Sequence, residues 1–388
     1  MMHEPVRDSA AFSIRRYDRL ADIPSEQWDR IVGTRNPFLS HAFLSGLEEH
    51  DCLKDHGWVP CHLAVSSGRS LIGAVPLYLR TNSFGEFVFD WAWAEAYERA
   101  GGRYYPKLVA AVPFTPVIGP RLLIRPGFPD AAYARDLLID GILDVARQAE
   151  LSSFHCLFPE TPDAEQFGRR GLLLRKTLQF HWINPGYRDF DDFLDNLTSK
   201  RRKQLRRERR EIGKQGIEIE RLRGGEISSH QWRIFHEFYR STFHRRWGSP
   251  RFTLDFFESL SQRLPDQTLL ILARHGRRYV AGAFAMLDDE TLYGRHWGCA
   301  VDLPFLHFEL CYYQTIEYCI EIGLKKVDAG VQGEHKLNRG FQPVGGLSCH
   351  WIRHPGFASA IGRYLAQETA QIDGYIESLR HHLPFKTA

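Results

Sequence analysis

The sequence predicts an α/β (α+β) protein made of two copies of one unit, each with a mixed central sheet. Three observations carry that prediction. An apolar strand, a short Gly-Arg turn and a second apolar strand occur twice: His62 to Val65, Gly68-Arg69 and Leu71 to Val75, then Leu270 to Ala273, Gly276-Arg277 and Tyr279 to Ala283. One helix with the same apolar stripe follows in each half. Leu138, Ile142, Val145 and Ala146 match Tyr312, Ile316, Cys319 and Ile320 at i, i+4, i+7, i+8 spacing. Each half closes on one tripeptide, His181-Trp182-Ile183 and His350-Trp351-Ile352. A single match arises easily by chance, but an ordered series points to duplication.

The elements follow in order. A third strand is expected after each hairpin, at 87–91 and 292–297, and the helices over 133–149 and 305–322. Each helix feeds a short strand, 153–157 and 326–329. A crossover helix joins roughly parallel strands whereas a tight hairpin joins antiparallel ones, so each sheet is mixed. At 388 residues the chain holds two domains of ordinary size, expected at 1–190 and 191–388. The first copy carries an insert of about 97–131, rich in aromatic residues and proline. The prolines argue against long helices there. The insert reads either as a surface embellishment or as a cleft wall in which Tyr104, Tyr105 and Lys107 touch a ligand.

Composition narrows the class. Hydrophobic content of 43% and charged content of 25% are those of an ordinary globular protein. No run of about 18 apolar residues predicts a membrane span, and the first eight residues lack the apolar centre of a signal peptide. The seven cysteines are scattered, odd in number and without a Cys-x-x-Cys pair. Reduced thiols in a cytoplasmic protein are the expectation. The net charge of +3 decides no partner.

Charge is nevertheless concentrated in one place. Residues 200–210 hold eight cations in eleven positions, including Lys200, Arg201, Arg202 and Arg206. Thr198 or Ser199 caps a helix expected over 199–212, and Gly213 and Gly216 end it. Leu197, Leu205 and Ile212 give one narrow docking edge. The helix is either a solvated face or a phosphate-binding element suited to a pyrophosphate or a nucleic-acid backbone.

A second concentration lies in the loop after the last short strand. Gly330, Gly333 and Gly340 flank Glu334-His335-Lys336, an acid, an imidazole and an ammonium in sequence. Glu334 or His335 suits a proton acceptor and Lys336 an oxyanion or phosphate partner. The equivalent first-unit loop, around Glu160, lacks the trio, so the second copy is expected to carry the chemistry. Arg295-His296 at a strand end, and His307 and Glu309 at the start of the next helix, are candidates to face the same cleft. No metal is expected, because there is no His-Glu-x-x-His and the His350/His354 pair reads as a strand end. The phosphate-binding loop of nucleotide hydrolases, the dinucleotide fingerprint and the serine-hydrolase elbow are absent.

Glu334-His335-Lys336 with Arg339-Gly340-Phe341, the phrase Phe305 to Tyr313, Tyr104 to Lys107 and Asn36 to His41 together resemble the FemAB-like bacterial proteins of peptidoglycan biosynthesis or recognition. The resemblance covers roughly residues 13–380. It implies two tandem GNAT-like (acyl-CoA N-acyltransferase-like) units. It also implies N-acyl or aminoacyl transfer to an amine, as in ligases that pass an amino acid from aminoacyl-tRNA to a peptidoglycan precursor. In those ligases a lysine near Gly-Phe stabilises the reacting carbonyl, and Lys336 before Gly340-Phe341 is the match. The loop 298–304 lacks the pyrophosphate-binding pattern of acetyl-CoA enzymes, so no motif supports acetyl-CoA as donor. Aminoacyl-tRNA, acyl-CoA and an acyl carrier thioester stay open as donors, with no tightly bound cofactor expected. A cell-wall precursor, a lipid amine or a small amine stay open as acceptors. The rival expectation is a non-catalytic protein that binds a cell-wall precursor or a nucleic acid.

Overall fold

The computed structural model describes residues 12–33, 36–244, 248–331 and 333–386. The stretch read for a signal peptide and Gln332 of the Gly-flanked loop lie outside them. The strands are β1 Phe12–Tyr17, β2 Trp58–Pro60, β3 His62–Ser67, β4 Ser70–Val75, β5 Leu77–Arg80, β6 Lys107–Ala110, β7 Leu123–Ile124, β8 Ser153–Leu157 and β9 Leu173–Ile183 in the first half. β10 Ile217–Arg223, β11 Thr268–His275, β12 Arg278–Leu287, β13 Thr291–Cys299, β14 Lys326–Asp328 and β15 Gln342–Ile352 follow. The helices are α1 Ser25–Val32, α2 His41–Glu49, α3 Trp91–Arg99, α4 Ala131–Gln148, α5 Thr161–Arg169, α6 Phe190–Asp195 and α7 Ser199–Lys214. Then come α8 Ser229–His244, α9 Leu254–Arg263, α10 Leu306–Phe308, a π-helical turn Glu309–Tyr313, α11 Gln314–Glu321 and α12 Pro355–Arg380.

The duplication is visible in strand register. Both hairpins turn on a Gly-Arg pair whose glycine has φ +59°, Gly68 and Gly276. Only glycine adopts that conformation without steric cost. Both hairpins also slip register two residues before the turn begins, at Val65/Ser66 and at Ala273/Arg274. The first hairpin is bent where the second is straight. β2 and β5 continue the register of β3 and β4 across Cys61 and Pro76, with the Cys61 amide on the Leu77 carbonyl at 2.9 Å. A proline has no N–H to give to the ladder, so the strand leaves one sheet and enters another there. The outer ends join β1 and β7 in a four-stranded sheet, ordered β1-β3-β4-β7.

Everything else forms one eleven-stranded mixed sheet, ordered β10-β11-β12-β13-β14-β9-β15-β8-β6-β5-β2. The two units exchange their closing strands. β9 of the first half pairs with β14, setting Trp182 opposite Val327, and β15 pairs with β8, setting Trp351 opposite Phe154. β9 and β15 then pair antiparallel with each other, His181 opposite Gln342 and Leu173 opposite His350. Exchanging the units maps these two pairs onto one another, so the His-Trp-Ile tripeptides occupy equivalent strands. The structure has the two tandem GNAT-like units with mixed sheets that the sequence led to, fused into one sheet by the exchange.

Two expectations need correction. Residues 87–91 form no strand: Phe87 has φ +61° and Trp91 opens α3. The third strand of the first unit is β6, inside the insert. Its parallel pairing of Val109 with His155 matches Tyr293 with Asp328 in the second unit. The alternation Phe87-Val88-Phe89 looked like a strand, but Phe84, Phe89 and Trp91 are exposed. The helix expected at 305–322 is broken by the π-helical turn at 309–313. The long α12, with Ile361, Leu365, Ile376 and Leu379 buried, was not anticipated. Among the described residues no helix is long and apolar enough to cross a membrane.

Candidate functional site

The site begins where two parallel strands part. β13 and β14 pair only from Thr291–Lys326 to Tyr293–Asp328, but β13 runs on to Cys299 along β12. Beyond Tyr293 the two strands open a wedge. Gly294, Arg295, His296 and Trp297 line one side, Ala329 with Gly333, His335 and Lys336 the other, and His307, Cys311, Tyr312 and Thr315 the helical side. The cavity is about 410 Å³, within the range of small-molecule sites. The π-helical turn beside it is a local widening of the kind often found at functional sites.

Lys336 is buried at the apex. Its Nζ donates to the Ala329 carbonyl at 2.5 Å, at the frayed end of β14. Burial pulls its pKa down to about 8, helped by Arg295 and opposed by Asp328. Arg295 donates to the Asp328 carboxylate at 3.3 Å, and His181 Nε2 lies 3.8 Å from it. Burial alone raises the Asp328 pKa, but Arg295 and His181 outweigh it and hold the carboxyl ionised. His296 is pushed down to about 3 by burial, Arg295 and Arg251, so it is neutral at ordinary pH. His335 shares a 2.9 Å hydrogen bond between Nε2 and the Tyr312 hydroxyl. Burial and the cations Arg339 and Lys336 lower its pKa too, leaving a neutral imidazole at the cavity rim.

A second cavity, of about 270 Å³, meets the first. It is lined by Phe87, Phe114 and Pro116 of the first half and by Phe243, Arg251, Gly330 and Val331 of the second. Gly294, Arg295, His296, Ala329 and Lys336 line both cavities. Lys336 therefore stands at the junction of two spaces that approach it from different sides.

The structure brings Arg295, His296, His307, His335 and Lys336 together. It does not bring in the others. Glu334 is exposed and accepts a hydrogen bond from Tyr375 of α12. Glu309 faces away, toward Arg209 at 3.2 Å and Gln314 at 2.8 Å. Tyr104 and Lys107 are buried in the first unit. Lys107 Nζ donates to Ser83 at 2.7 Å, Glu86 at 2.8 Å and Asp90 at 2.5 Å, and the Tyr104 hydroxyl donates to Asp90 at 2.6 Å. Tyr105 pairs with Ser83 at 2.8 Å. None of the three lines either of the two cavities at Lys336.

The basic helix divides in two. Arg202 pairs with Asp195 at 3.3 Å and Arg206 with Asp191 at 3.0 Å, both acids from α6. Arg201 bonds Gln204 within the helix. Lys200, Lys203, Arg207 and Arg210 are exposed. The docking edge includes an acid that the charge run concealed. Glu208 is buried between Leu205 and Ile212, accepts from Arg339 at 2.8 Å and accepts from the Tyr313 hydroxyl. Arg339 also donates to the His335 carbonyl at 2.9 Å and lies 3.5 Å over the Phe308 ring. The helix thus anchors the loop that carries His335 and Lys336. Sequence reasoning also missed Asp328, His181, Arg251 and the Phe87/Phe114 wall. The only signals available were an acid closing a short strand and a repeated tripeptide.

A duplicated acyltransferase-type fold with an open wedge in its second unit defines the class. The chain belongs to the FemAB-like family, described as peptidoglycan biosynthesis/recognition, whose model matches residues 19–387. Solved structures share the fold at low identity. FemX is 12% identical over 90% of this chain and all of that one, with a TM-score of 0.53. The C-terminal domain of a putative lysylphosphatidylglycerol synthetase from Agrobacterium fabrum is 10% identical over 88% of this chain and 95% of that one, also at 0.53. L-PGS from Bacillus licheniformis is 13% identical over 83% and 92%, at 0.52. No curated protein sequence matches the chain. Membership of the family supports acyl or aminoacyl transfer in cell-envelope metabolism.

Proposed function

We propose that the protein joins an activated acyl or aminoacyl group to an amine at Lys336, with donor and acceptor entering from the two cavities. The observation that carries this reading is the sharing of Arg295, His296 and Lys336 between two spaces. Transfer without a covalent enzyme intermediate requires both substrates at one point, and such a junction supplies it. The amine attacks the acyl carbon, the carbonyl becomes an oxyanion, and the leaving group departs as the tetrahedral adduct collapses. Lys336 stabilises the oxyanion: its ammonium donates to the Ala329 carbonyl at 2.5 Å and to the Gly330 carbonyl at 3.5 Å, and its third N–H is available to the cavities. Neutral His335, oriented by Tyr312, takes the amine proton. Arg295 is held in place by Asp328 and keeps the local field positive. Glu334 has no part in the reading, because it faces α12.

The chain is proposed to divide near residue 190, with β9 and β15 exchanged, the second unit carrying chemistry and the first supplying a wall. The exposed cations Lys200, Lys203, Arg207 and Arg210 suit the phosphates of a tRNA or CoA-type donor. A cell-wall precursor or another envelope amine is the proposed acceptor, and the cytoplasm, where activated donors are made, the proposed compartment. The test is to mix purified protein with aminoacyl-tRNA or a panel of acyl-CoAs and follow amine-dependent loss of the activated group. Turnover that Lys336→Met abolishes supports the reading. Tight binding of these donors without turnover for any amine would replace it with a recognition role.

A further inference from the structure

Arg251 is half-buried and differs from several other buried and half-buried arginines. Arg80, Arg209, Arg295 and Arg339 each hold a carboxylate, and Arg121 holds four backbone carbonyls. Among the described residues Arg251 has no carboxylate partner, and burial pulls its pKa down with only Tyr239 opposing. Its main-chain N–H is fixed by the Tyr239 hydroxyl at 3.0 Å. Its guanidinium lies over the Phe114 ring at 5.2 Å and against Phe243 at 5.5 Å. Aromatic faces hold the plane of the fork and leave its N–H edges free for a planar anion. Leaving such a cation unpaired costs free energy in the empty protein, and a bound anion would recover it.

The position of Arg251 is as telling as its lack of a partner. It lines the 270 Å³ cavity that reaches Lys336, and it lines an outer space with His56, His236, Arg240 and the acids Asp51 and Asp55. Around it stand the apolar Phe87, Phe114, Pro116 and Val331, and the cavity's other cations, Arg295 and Lys336, are already held by Asp328 and by main-chain carbonyls. A single free fork on an apolar wall suits one anionic group on an apolar body.

We infer that Arg251 reads the acceptor: an amine that also carries a carboxylate or phosphate, held at the Arg251 fork while its amine points toward Lys336. This rests on the two-sided transfer reading above. The probes are hippurate, its uncharged amide hippuramide, and phenyl phosphate, titrated calorimetrically into the full chain without any donor. The expected result is binding of one or both anions about tenfold or more tighter than the amide, the discrimination of a charge-assisted contact. Hippurate ahead of phenyl phosphate identifies a carboxylate source, and the reverse order a phosphate source. Arg251→Met should abolish the preference, and Arg251→Lys should keep part of it. Equal affinity of the unmodified protein for all three probes would overturn the inference whether or not the variants fold. So would an unchanged preference in folded Arg251→Met. Failure of acyl transfer with anion binding intact would sink the transfer reading alone. Transfer intact without Arg251-dependent anion binding would sink this one alone.

Discussion

The two units pair their parallel strands in equivalent register and treat the end of that pairing in opposite ways. In the second unit the wedge past Tyr293 and Asp328 stays open, and Arg295, His296 and Trp297 look into it. In the first, the pairing runs one residue further, to Ala110 and Cys156, and the chain beyond it is stitched shut. Residues 111–113, in place of the Arg-His-Trp set, read Ala-Val-Pro, and the chain returns so that Gly119 bridges Pro159. Arg121 completes the closure, donating to the carbonyls of Leu157 at 2.9 Å, Gly119 at 3.1 Å and Val117 at 2.7 Å. The polar groups differ in the same sense. Asp328 and His181 in the second unit sit beside the cavity, whereas their equivalents, His155 and His350, bond each other at 2.5 Å inside the core. One frame therefore gives a rigid wall when its polar groups are mutually satisfied. It leaves an open cavity when that closure is missing.

The strongest test of this contrast is to break the closed copy. Lys107 and its acids Glu86 and Asp90 are fully buried. Burial alone lowers the Lys107 pKa, but Glu86 and Asp90 overcome it and keep the ammonium charged. Lys107→Met leaves buried Asp90 without its lysine and Glu86 with Arg80 alone. The expected loss is about 3–5 kcal/mol of stability, read as a lower urea midpoint at unchanged slope. A loss below about 1 kcal/mol would show that the network is not what holds the first unit rigid.

Lys336→Met should act on the open copy with nearly the opposite signature. It removes a cation that burial already disfavours, so stability should hold or improve. Turnover should fall by roughly 10²–10³ while KM for the acceptor changes little. A large stability loss with modest kinetic effect would make Lys336 another structural lysine like Lys107 and erase the functional half of the comparison.

The pH profile sharpens the role of the same residue. Its pKa is depressed in the folded protein to about 8, from 10.5. Between these values the unfolded chain binds more protons, so this group makes stability rise with pH across that window. Activity should move the other way. A cationic oxyanion partner is lost as pH rises through about 8, so turnover should fall there. A rate that instead climbs through that pH would make neutral Lys336 the proton acceptor, displacing His335.

How much of this was legible in the sequence depends on the kind of interaction. The hairpins and the His-Trp-Ile strands declare themselves because a strand's period-2 pattern and a Gly-Arg turn are local. Exchange of β9 and β15 is not local: the same tripeptide fits either partner, and no pattern states which strand it meets. The Gly-flanked loop was legible as a candidate from its residue types. That Lys336 and His335 face the cavity while Glu334 faces Tyr375 depends on the 3₁₀ turn over Glu334–Arg339. Lys107 read as a ligand contact because a lysine among tyrosines looks available, and its three partners lie 17–24 residues away in sequence. Glu208 was invisible for a related reason. One acid inside a basic run reads as relief of repulsion, not as the anchor of a distant arginine.

The smallest effect expected is at the basic helix, and there the comparison is within one element. Its buried face, Leu205, Glu208 and Ile212, positions the loop of Lys336, while its exposed face carries Lys200, Lys203, Arg207 and Arg210. Arg202 and Arg206 are already committed to α6. Replacing Lys200, Lys203 and Arg207 by Gln touches none of the buried contacts, so folding and the intrinsic rate with a small donor should not change. If the donor is a tRNA, its affinity should fall and the slope of log affinity against log salt should flatten by roughly one per lost phosphate contact. The control is Arg202→Gln with Arg206→Gln, which frees Asp191 and Asp195 and should alter the slope less, because those arginines are internally paired. Equal flattening by both sets would mean that the α6 pairs open on binding. No flattening by either set would leave the exposed cations as a solvated face, and the donor's phosphates would have to be sought elsewhere on the second unit.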